Sequence, residues 1–245
     1  MRPIRRGDSP QPTDFDDYKN AKPELMSRLG SYCSYCERLI NTNLAVEHIQ
    51  PKGGSDGHSE LVGRWDNFLL ACINCNSIKK DKPVELDNVL LPDRDNTFYA
   101  YKYTEDGKVL VFEGLQPDVR QLAAKTLKLV GLDKDISHHA DSNGELVAMD
   151  RVSQRMQAWV EAEEARGNLA ANPDNIPLKE MVVRLAEKSG FFSVWMTVFD
   201  NDRDMKIRLI SAFKGTEGSG CFNLENGSYI TPSPNLDDLS YGGKI

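Results

Sequence analysis

The chain has 245 residues, of which 40% are hydrophobic and 27% charged, a composition typical of a folded globular protein and not of a disordered one. It contains no apolar window of about 18 residues, and no apolar stretch follows the basic N-terminus, which argues against a membrane-spanning helix and a secretory signal. We therefore expect an intracellular protein of the cytoplasm, with one large or two small domains and no membrane contact.

The net charge of the chain is −7, and it is unevenly distributed. Residues 1–82 contain 12 Lys and Arg against 11 Asp and Glu, so the acidic excess belongs to residues 83–245. Such a balance provides no long-range attraction to phosphate. If the chain binds nucleic acid, we expect a local basic patch or a partner to supply the positive charge.

The first 95 residues predict short elements joined by loops. The N-terminal residues are rich in Pro, Asp and Arg without an apolar period, which indicates an irregular arm. The elements predicted after it are a helix at about 22–30 that ends at Gly30, a strand at 43–50, a second strand at 65–72 and a short helix at 75–82.

The remaining residues predict a hairpin followed by helices. Residues 97–112 alternate between apolar and polar positions around Asp106-Gly107, the pair that a type I′ turn prefers. Helices are then predicted at 117–130, ended by Gly131, at about 145–166, ended by Gly167, and at about 177–189, ended by Gly190. The last of these is expected to bury Met181, Val182, Leu185 and Ala186. Residues 191–199 are apolar all round, which fits a buried helix or a strand.

Four of the five cysteines form two Cys-x-x-Cys pairs, Cys33 with Cys36 and Cys72 with Cys75. Two such thiolate pairs can hold one tetrahedral zinc ion, and the 35 residues between them would then form a folded insertion whose ends the zinc ties together. We therefore predict structural Zn²⁺, since four unrelated buried cysteines do not explain the matched spacings. Cys221 stands apart, and we expect a small buried residue without chemistry.

Hard ligands lie within and beside this cysteine framework. Glu47-His48 ends the first predicted strand, and Asn76 follows the last cysteine of the framework. A carboxylate, an imidazole and a carboxamide brought together suit a divalent cation and a proton acceptor. Each residue alone has a simpler explanation, because His is often a surface residue and Asn often caps a helix. His58 is expected to be a bystander in a loop, and His138-His139 to face solvent.

The order of these segments, CSYCERLI, LAVEHIQPKGG, WDNFLLAC and CINCNSIKKDK, resembles the HNH, or ββα-metal, endonucleases over residues 33–82. The resemblance implies that His48 is the general base, that Glu47 and Asn76 bind a catalytic Mg²⁺ or Mn²⁺, and that Asn67 ties the loop between the strands. Two positions depart from the commonest form of the motif, with Glu in place of Asp at 47 and Asn in place of His at 76. The longer Glu side chain could place the metal differently or bind it through water.

Lysines near the motif are candidates for binding the substrate. Lys52 follows the first strand, and Lys79, Lys80 and Lys82 lie on or beside the short helix, where they would hold phosphates that flank the cut. The alternative is that these lysines form a solvated helix face.

A further similarity extends over about residues 1–135, through the segments MRPIRR, TEDGKVLVFE and LKLVGLD. These segments are similar to the HNH nuclease of Septu-type bacterial antiviral systems. That resemblance implies a defence nuclease that acts with an ATPase partner. A restriction-type or mobile-element HNH enzyme is the alternative within the same family.

The sequence therefore predicts an α+β protein. It would have an irregular arm at 1–24, a zinc-stabilised ββα nuclease domain at 25–95, and a β-hairpin with a mostly helical region at 96–245. The expected function is metal-dependent hydrolysis of phosphodiester bonds in DNA or RNA. Two alternatives remain: a zinc-stabilised module that binds nucleic acid or protein without catalysis, and a protein whose working part is a helical docking region at 115–213.

Overall fold

The computed structural model describes residues 1–55, 57–134 and 151–245, which contain eight α-helices, five short 3₁₀ helices and two antiparallel two-stranded sheets. The α+β class expected from the sequence is therefore confirmed. In chain order, the elements are α1 (Lys22–Leu29), β1 (Ala45–His48), β2 (Phe68–Ala71), α2 (Ile73–Lys79), α3 (Thr97–Ala100), β3 (Tyr101–Tyr103), β4 (Val109–Val111), α4 (Pro117–Val130), α5 (Arg151–Ala171), α6 (Ile176–Ser189), α7 (Phe192–Val198) and α8 (Arg203–Ala212).

The first sheet and the helix after it form the predicted ββα unit. Strands β1 and β2 pair antiparallel, with Ala45 opposite Ala71 and His48 opposite Phe68. Helix α2 begins directly after β2 because Cys72 caps it, its Sγ accepting a hydrogen bond from Cys75 N at 3.4 Å. The helix therefore starts at Ile73, two residues before the start at residue 75 that the sequence predicted.

The predicted hairpin is present but shorter than expected. Residues 97–100 form helix α3 and not strand, because the Asn96 side chain caps them by accepting a hydrogen bond from Tyr99 N. Strands β3 and β4 then pair with Tyr103 opposite Val109.

The turn of this hairpin differs from the predicted type I′ turn. Gly107 N donates to Thr104 O at 2.9 Å, and within the turn the positive φ belongs to Gly107 and not to Asp106. This is a type I turn followed by a left-handed glycine, the usual three-residue hairpin loop. Helix α5 packs directly on this turn. The two backbones are so close that a Cβ atom at Gly107 would lie 2.4 Å from Val152 O, which leaves no room for a side chain.

The C-terminal helices match the prediction at some ends and not at others. Helices α4 and α6 end at their predicted glycines. Residues 192–198 form helix α7, so the apolar stretch whose structure the sequence left open is helical. The end predicted at Gly167 is wrong, because α5 continues to Ala171. A glycine in an exposed helix interior costs only about 1 kcal/mol, which a helix of this length tolerates. Residues 145–150 and His138-His139 lie outside the described residues.

The buried face of α6 is narrower than predicted. Val182 and Ala186 are buried, but Met181 and Leu185 are 59% and 42% exposed, so their expected burial is wrong. An apolar period predicts a face, but the neighbouring helices decide how much of that face they cover. Among the described residues, no helix combines the length and apolar character needed to cross a bilayer.

Residues 1–17 contain no helix or strand, a 3₁₀ helix and α1 follow within the predicted arm, and the first residues of the arm are buried in the core. The guanidinium of Arg6 is fully enclosed, where its Nη2 lies 2.7 Å from Asp93 Oδ2 and donates to Asp66 O at 2.7 Å. Its Nη1 also donates to Phe68 O, at the start of β2. The arm therefore supports the strand that ends at the cysteine framework.

Glu37, directly after Cys36, joins the ββα region to the C-terminal helices. Its carboxylate accepts hydrogen bonds from Ser193 N and Oγ, both at 2.7 Å, and from Tyr103 Oη at 2.9 Å. Burial alone would raise the pKa of this carboxyl group, but the nearby N-terminal ammonium and these donors hold it below its usual value. A buried anion with this many donors fixes the position of α7 against the turn after α1.

We predict that Arg6→Ala lowers the free energy of unfolding by about 3–5 kcal/mol, because it leaves the Asp93 carboxylate buried without one of its cations. The matched control is Arg166→Ala, which removes an exposed pair with Glu163 and should change stability by less than about 1 kcal/mol. Denaturant unfolding of both variants measures the difference. Equal midpoints for the two variants would contradict a structural role for the arm.

Candidate active site and zinc centre

The four framework cysteines converge on one buried point. Their Sγ atoms all lie within 4.8 Å of one another, and Cys36 Sγ is 3.7 Å from Cys72 Sγ. A tetrahedral zinc ion with Zn–S bonds of about 2.3 Å holds its sulfurs about 3.8 Å apart. The cluster therefore has the ligand type, number and spacing of a structural zinc site, as the sequence predicted. Cys221 lies apart from it, with its Sγ 3.5 Å from Ser233 Oγ.

A cation from the C-terminal helices completes the surroundings of this cluster. Arg151, at the start of α5, donates from Nη1 to Cys75 Sγ at 3.0 Å and to Val130 O at 2.9 Å. Four thiolates and one Zn²⁺ leave two net negative charges, and the guanidinium of Arg151 offsets one of them. Sequence reasoning missed Arg151, since no local pattern connects it with a cysteine so distant along the chain.

Three of the predicted catalytic residues, Glu47, His48 and Asn76, line one cavity of about 490 Å³. Glu47 and His48 reach it from the end of β1, and Asn76 from the first turn of α2. The pairing of β1 with β2 and the start of α2 immediately after β2 bring these three residues together. Lys52 and Lys80 line the same cavity. Lys82 lines a neighbouring cavity instead.

The surroundings of His48 define its tautomer. Its Nε2 lies 3.0 Å from Val62 O, and because a carbonyl only accepts, Nε2 carries the proton and Nδ1 keeps a free lone pair. The rings of Tyr18 and Phe68 hold the imidazole edge-on, with centroid distances of 4.7 and 5.3 Å. Burial lowers the pKa of His48, so the ring is neutral near pH 7. A neutral imidazole fixed in one tautomer is suited to accept a proton.

Asn67 ties the loop between the strands. Its Oδ1 accepts from Gln50 N at 2.8 Å, and its Nδ2 donates to Gln50 O at 3.0 Å. These two bonds close the loop immediately after His48. Asn67 is thus buried behind the cavity and supports it without lining it.

The position expected for Lys79 is corrected by the structure. The sequence predicted an ammonium group able to reach flanking phosphates, but Lys79 is 1% exposed. Its Nζ donates to His48 O at 2.7 Å and lies 2.8 Å from Glu47 Oε1. The ammonium points inward because the buried Glu47 carboxylate needs a nearby cation.

The donor set of the cavity fits a divalent cation. Glu47 Oε1 is buried, and it pairs with the Lys79 ammonium at 2.8 Å. Burial raises the pKa of Glu47, and the charge of Lys79 opposes that rise. The Glu47 carboxylate and the Asn76 carboxamide belong to residues that line the same cavity, and they are the hard oxygen donors that Mg²⁺ and Mn²⁺ prefer.

Two further expectations concern residues around the cavity. His58 does not line it, and its Nδ1 lies 3.0 Å from the exposed Glu60 carboxylate, in keeping with the expected bystander. In contrast, Tyr18, Lys19 and Lys22 line the cavity, although sequence reasoning placed them in or beside the irregular arm. No sequence signal in the arm indicated this contact.

Comparison with known families agrees with this geometry. Residues 33–82 match the family model described as HNH endonuclease. These residues form an HNH domain. The match covers the cysteine framework, both strands and helix α2, which is the part of the chain that carries Glu47, His48 and Asn76.

One relative shares sequence with the chain over a limited length. It is a protein of Vibrio cholerae serotype O1 biovar El Tor whose name describes it as an HNH endonuclease of retron Vc95. The two are 31% identical over 90 residues, which cover 31% of this chain and 44% of that protein. The chain thus spans less than half of the length of this relative.

We predict that Cys72→Ser lowers both the zinc content and the melting temperature, the latter by about 10 °C, because zinc binding contributes folding free energy. Cys221→Ser is the matched control, since it alters a buried cysteine outside the cluster and should keep full zinc content. Elemental analysis and thermal unfolding test both variants. A zinc-loaded Cys72→Ser protein with unchanged melting would rule out the tetrathiolate site.

Proposed function

We propose that this protein is a metal-dependent endonuclease that hydrolyses phosphodiester bonds of nucleic acid. The observation that carries the proposal is the state of His48. Its Nε2–H is held by the Val62 carbonyl, Nδ1 has no hydrogen-bond partner among the described residues, and His48 lines a cavity that Glu47 and Asn76 also line. A binding module has no need for an oriented neutral imidazole beside hard metal ligands.

In the proposed reaction, His48 Nδ1 takes a proton from a water molecule as the water oxygen attacks phosphorus. The bond from phosphorus to O3′ breaks, and the leaving oxygen takes a proton from solvent. Val62 O holds the imidazole in the required tautomer and stabilises the imidazolium that forms. Glu47 and Asn76 would hold Mg²⁺ or Mn²⁺, which supplies neutralisation of the charge that develops on the phosphoryl oxygens.

We further propose a role in bacterial antiphage defence, together with an ATPase partner. The name of the Vibrio cholerae relative refers to a retron, which supports a role in defence. The ATPase partner is proposed from the resemblance of sequence segments within about residues 1–135 to the nuclease of Septu-type systems. The net charge of −7 also fits a nuclease that depends on a partner to bring it to its substrate.

We predict that His48→Ala lowers the cleavage rate at least about 100-fold, because the reaction loses its general base, while zinc content and melting temperature stay close to wild type. His58→Ala is the matched control, since it removes a histidine near the cavity that does not line it. The measurement is cleavage of plasmid, single-stranded DNA and total RNA with Mg²⁺, with Mn²⁺ and with EDTA.

The possible results separate the competing functions. Metal-dependent cleavage that disappears in His48→Ala and survives in His58→Ala supports the nuclease and identifies its polymer. Full cleavage by His48→Ala would contradict the assignment of the base. Tight binding of nucleic acid without cleavage by the zinc-loaded wild type would favour the binding module instead.

A further inference from the structure

The cavity that contains His48 is not closed by the HNH domain alone. Part of its wall comes from Tyr18, Lys19 and Lys22, which precede the family-matched residues 33–82. We call Tyr18–Lys22 the N-terminal wall. It is a segment of this chain that the HNH motif does not include.

The N-terminal wall is held in place by its own contacts. Asp17 Oδ1 accepts from Lys19 N at 3.0 Å, which caps the 3₁₀ turn Tyr18–Ala21. Ala21 and Leu25 are completely buried, so they anchor the turn and helix α1 in the core. The side chains of the N-terminal wall that line the cavity are therefore positioned by a folded segment of the chain.

The wall also contacts residues on both sides of the catalytic site. The Tyr18 ring lies edge-on to the His48 imidazole at 4.7 Å. The Lys52 ammonium lies over the same Tyr18 ring, 3.9 Å from its centroid. This cation–π contact links the wall to the loop after β1 and places the two basic segments side by side.

The cavity gathers positive charge that the protein itself does not neutralise. Four lysines line it: Lys19, Lys22, Lys52 and Lys80. None of the four lies within 4.0 Å of a carboxylate among the described residues, and Asp81 is the one acidic residue besides Glu47 that lines the cavity. Four lysines around one cavity without a carboxylate partner among the described residues are unexpected in a chain with a net charge of −7, unless an anionic ligand binds there.

We propose that Lys19 and Lys22, together with Lys52 and Lys80, bind the backbone phosphates that flank the scissile bond of a polynucleotide. The N-terminal wall is thus a substrate-binding element, and the preferred substrate is a chain of several nucleotides and not an isolated phosphodiester. This proposal rests on the proposed nuclease function, because it assumes that the scissile phosphate lies at His48.

Direct binding provides the first test. The double variant Lys19→Ala/Lys22→Ala is made in a His48→Ala background, so that no cleavage disturbs the measurement. Its affinity for fluorescein-labelled duplex DNA, single-stranded DNA and RNA of one sequence is measured by anisotropy over a range of salt concentrations. For the best-bound polymer, we expect a loss on the order of 10- to 100-fold at 0.1 M salt and a salt slope smaller by about two.

The matched control removes two lysines from another place. Lys188 and Lys214 line a separate cavity away from His48, so Lys188→Ala/Lys214→Ala changes the net charge equally. We expect the salt slope and affinity of this control to match those of the His48→Ala parent. An equal loss in both double variants would mean a general charge effect, and an unchanged slope in Lys19→Ala/Lys22→Ala would also overturn the proposal.

A small substrate separates this proposal from the proposed function. Bis(p-nitrophenyl) phosphate contains one phosphate and no flanking phosphate. In the catalytically intact background, we expect the Lys19→Ala/Lys22→Ala change to lower kcat/KM for the polynucleotide at least tenfold more than for this ester. Equal losses on both substrates would overturn the flanking-phosphate site. A third outcome would separate the two proposals. If Lys19→Ala/Lys22→Ala loses affinity for the polynucleotide but His48→Ala still cleaves at the wild-type rate, the role of His48 is contradicted and the phosphate-binding site is supported.

Discussion

The convergence of four cysteine sulfurs is the constraint on which the candidate active site depends. Strands β1 and β2 have only four residues each, and a two-stranded sheet of that size is not stable by itself in water. The cluster ties the turn after α1 to the first turn of α2, so both ends of the intervening segment are fixed. Zinc binding in such sites supplies about 10–16 kcal/mol in isolated peptides, enough to hold short strands together.

A layer of buried polar groups behind the cavity turns this framework into an oriented site. Val62 O sets the tautomer of His48, Asn67 closes the loop that carries Val62, and Lys79 lies between Glu47 and the backbone of His48. Glu47, Asn67 and Lys79 are buried, so each of these side chains needs its hydrogen-bond or charge partner, and the loss of one partner leaves a buried polar group unpaired. The reactive geometry is thus maintained by residues that do not themselves react.

The HNH domain is embedded in the rest of the chain through charged residues. Arg6 from the arm supports the start of β2, Arg151 from α5 reaches the cysteine cluster, and Glu37 accepts hydrogen bonds from the hairpin and α7. These contacts cross long sequence separations and lie in regions of low dielectric, where charge pairing is strong. The C-terminal helices therefore stabilise the zinc framework as well as packing among themselves.

The sequence by itself determined the α+β class and the cysteine cluster, and it predicted Glu47 and Asn76 for one site, because a motif with fixed spacing places those residues within one short unit. It did not reveal that Lys79 turns inward or that Lys19 lines the cavity. Only the tertiary structure decided the orientation of Lys79 and the position of Lys19, because both depend on residues that are distant along the chain and close in the fold. Local periodicity and spacing describe a residue's own segment, whereas burial and charge pairing depend on the segments that pack against it.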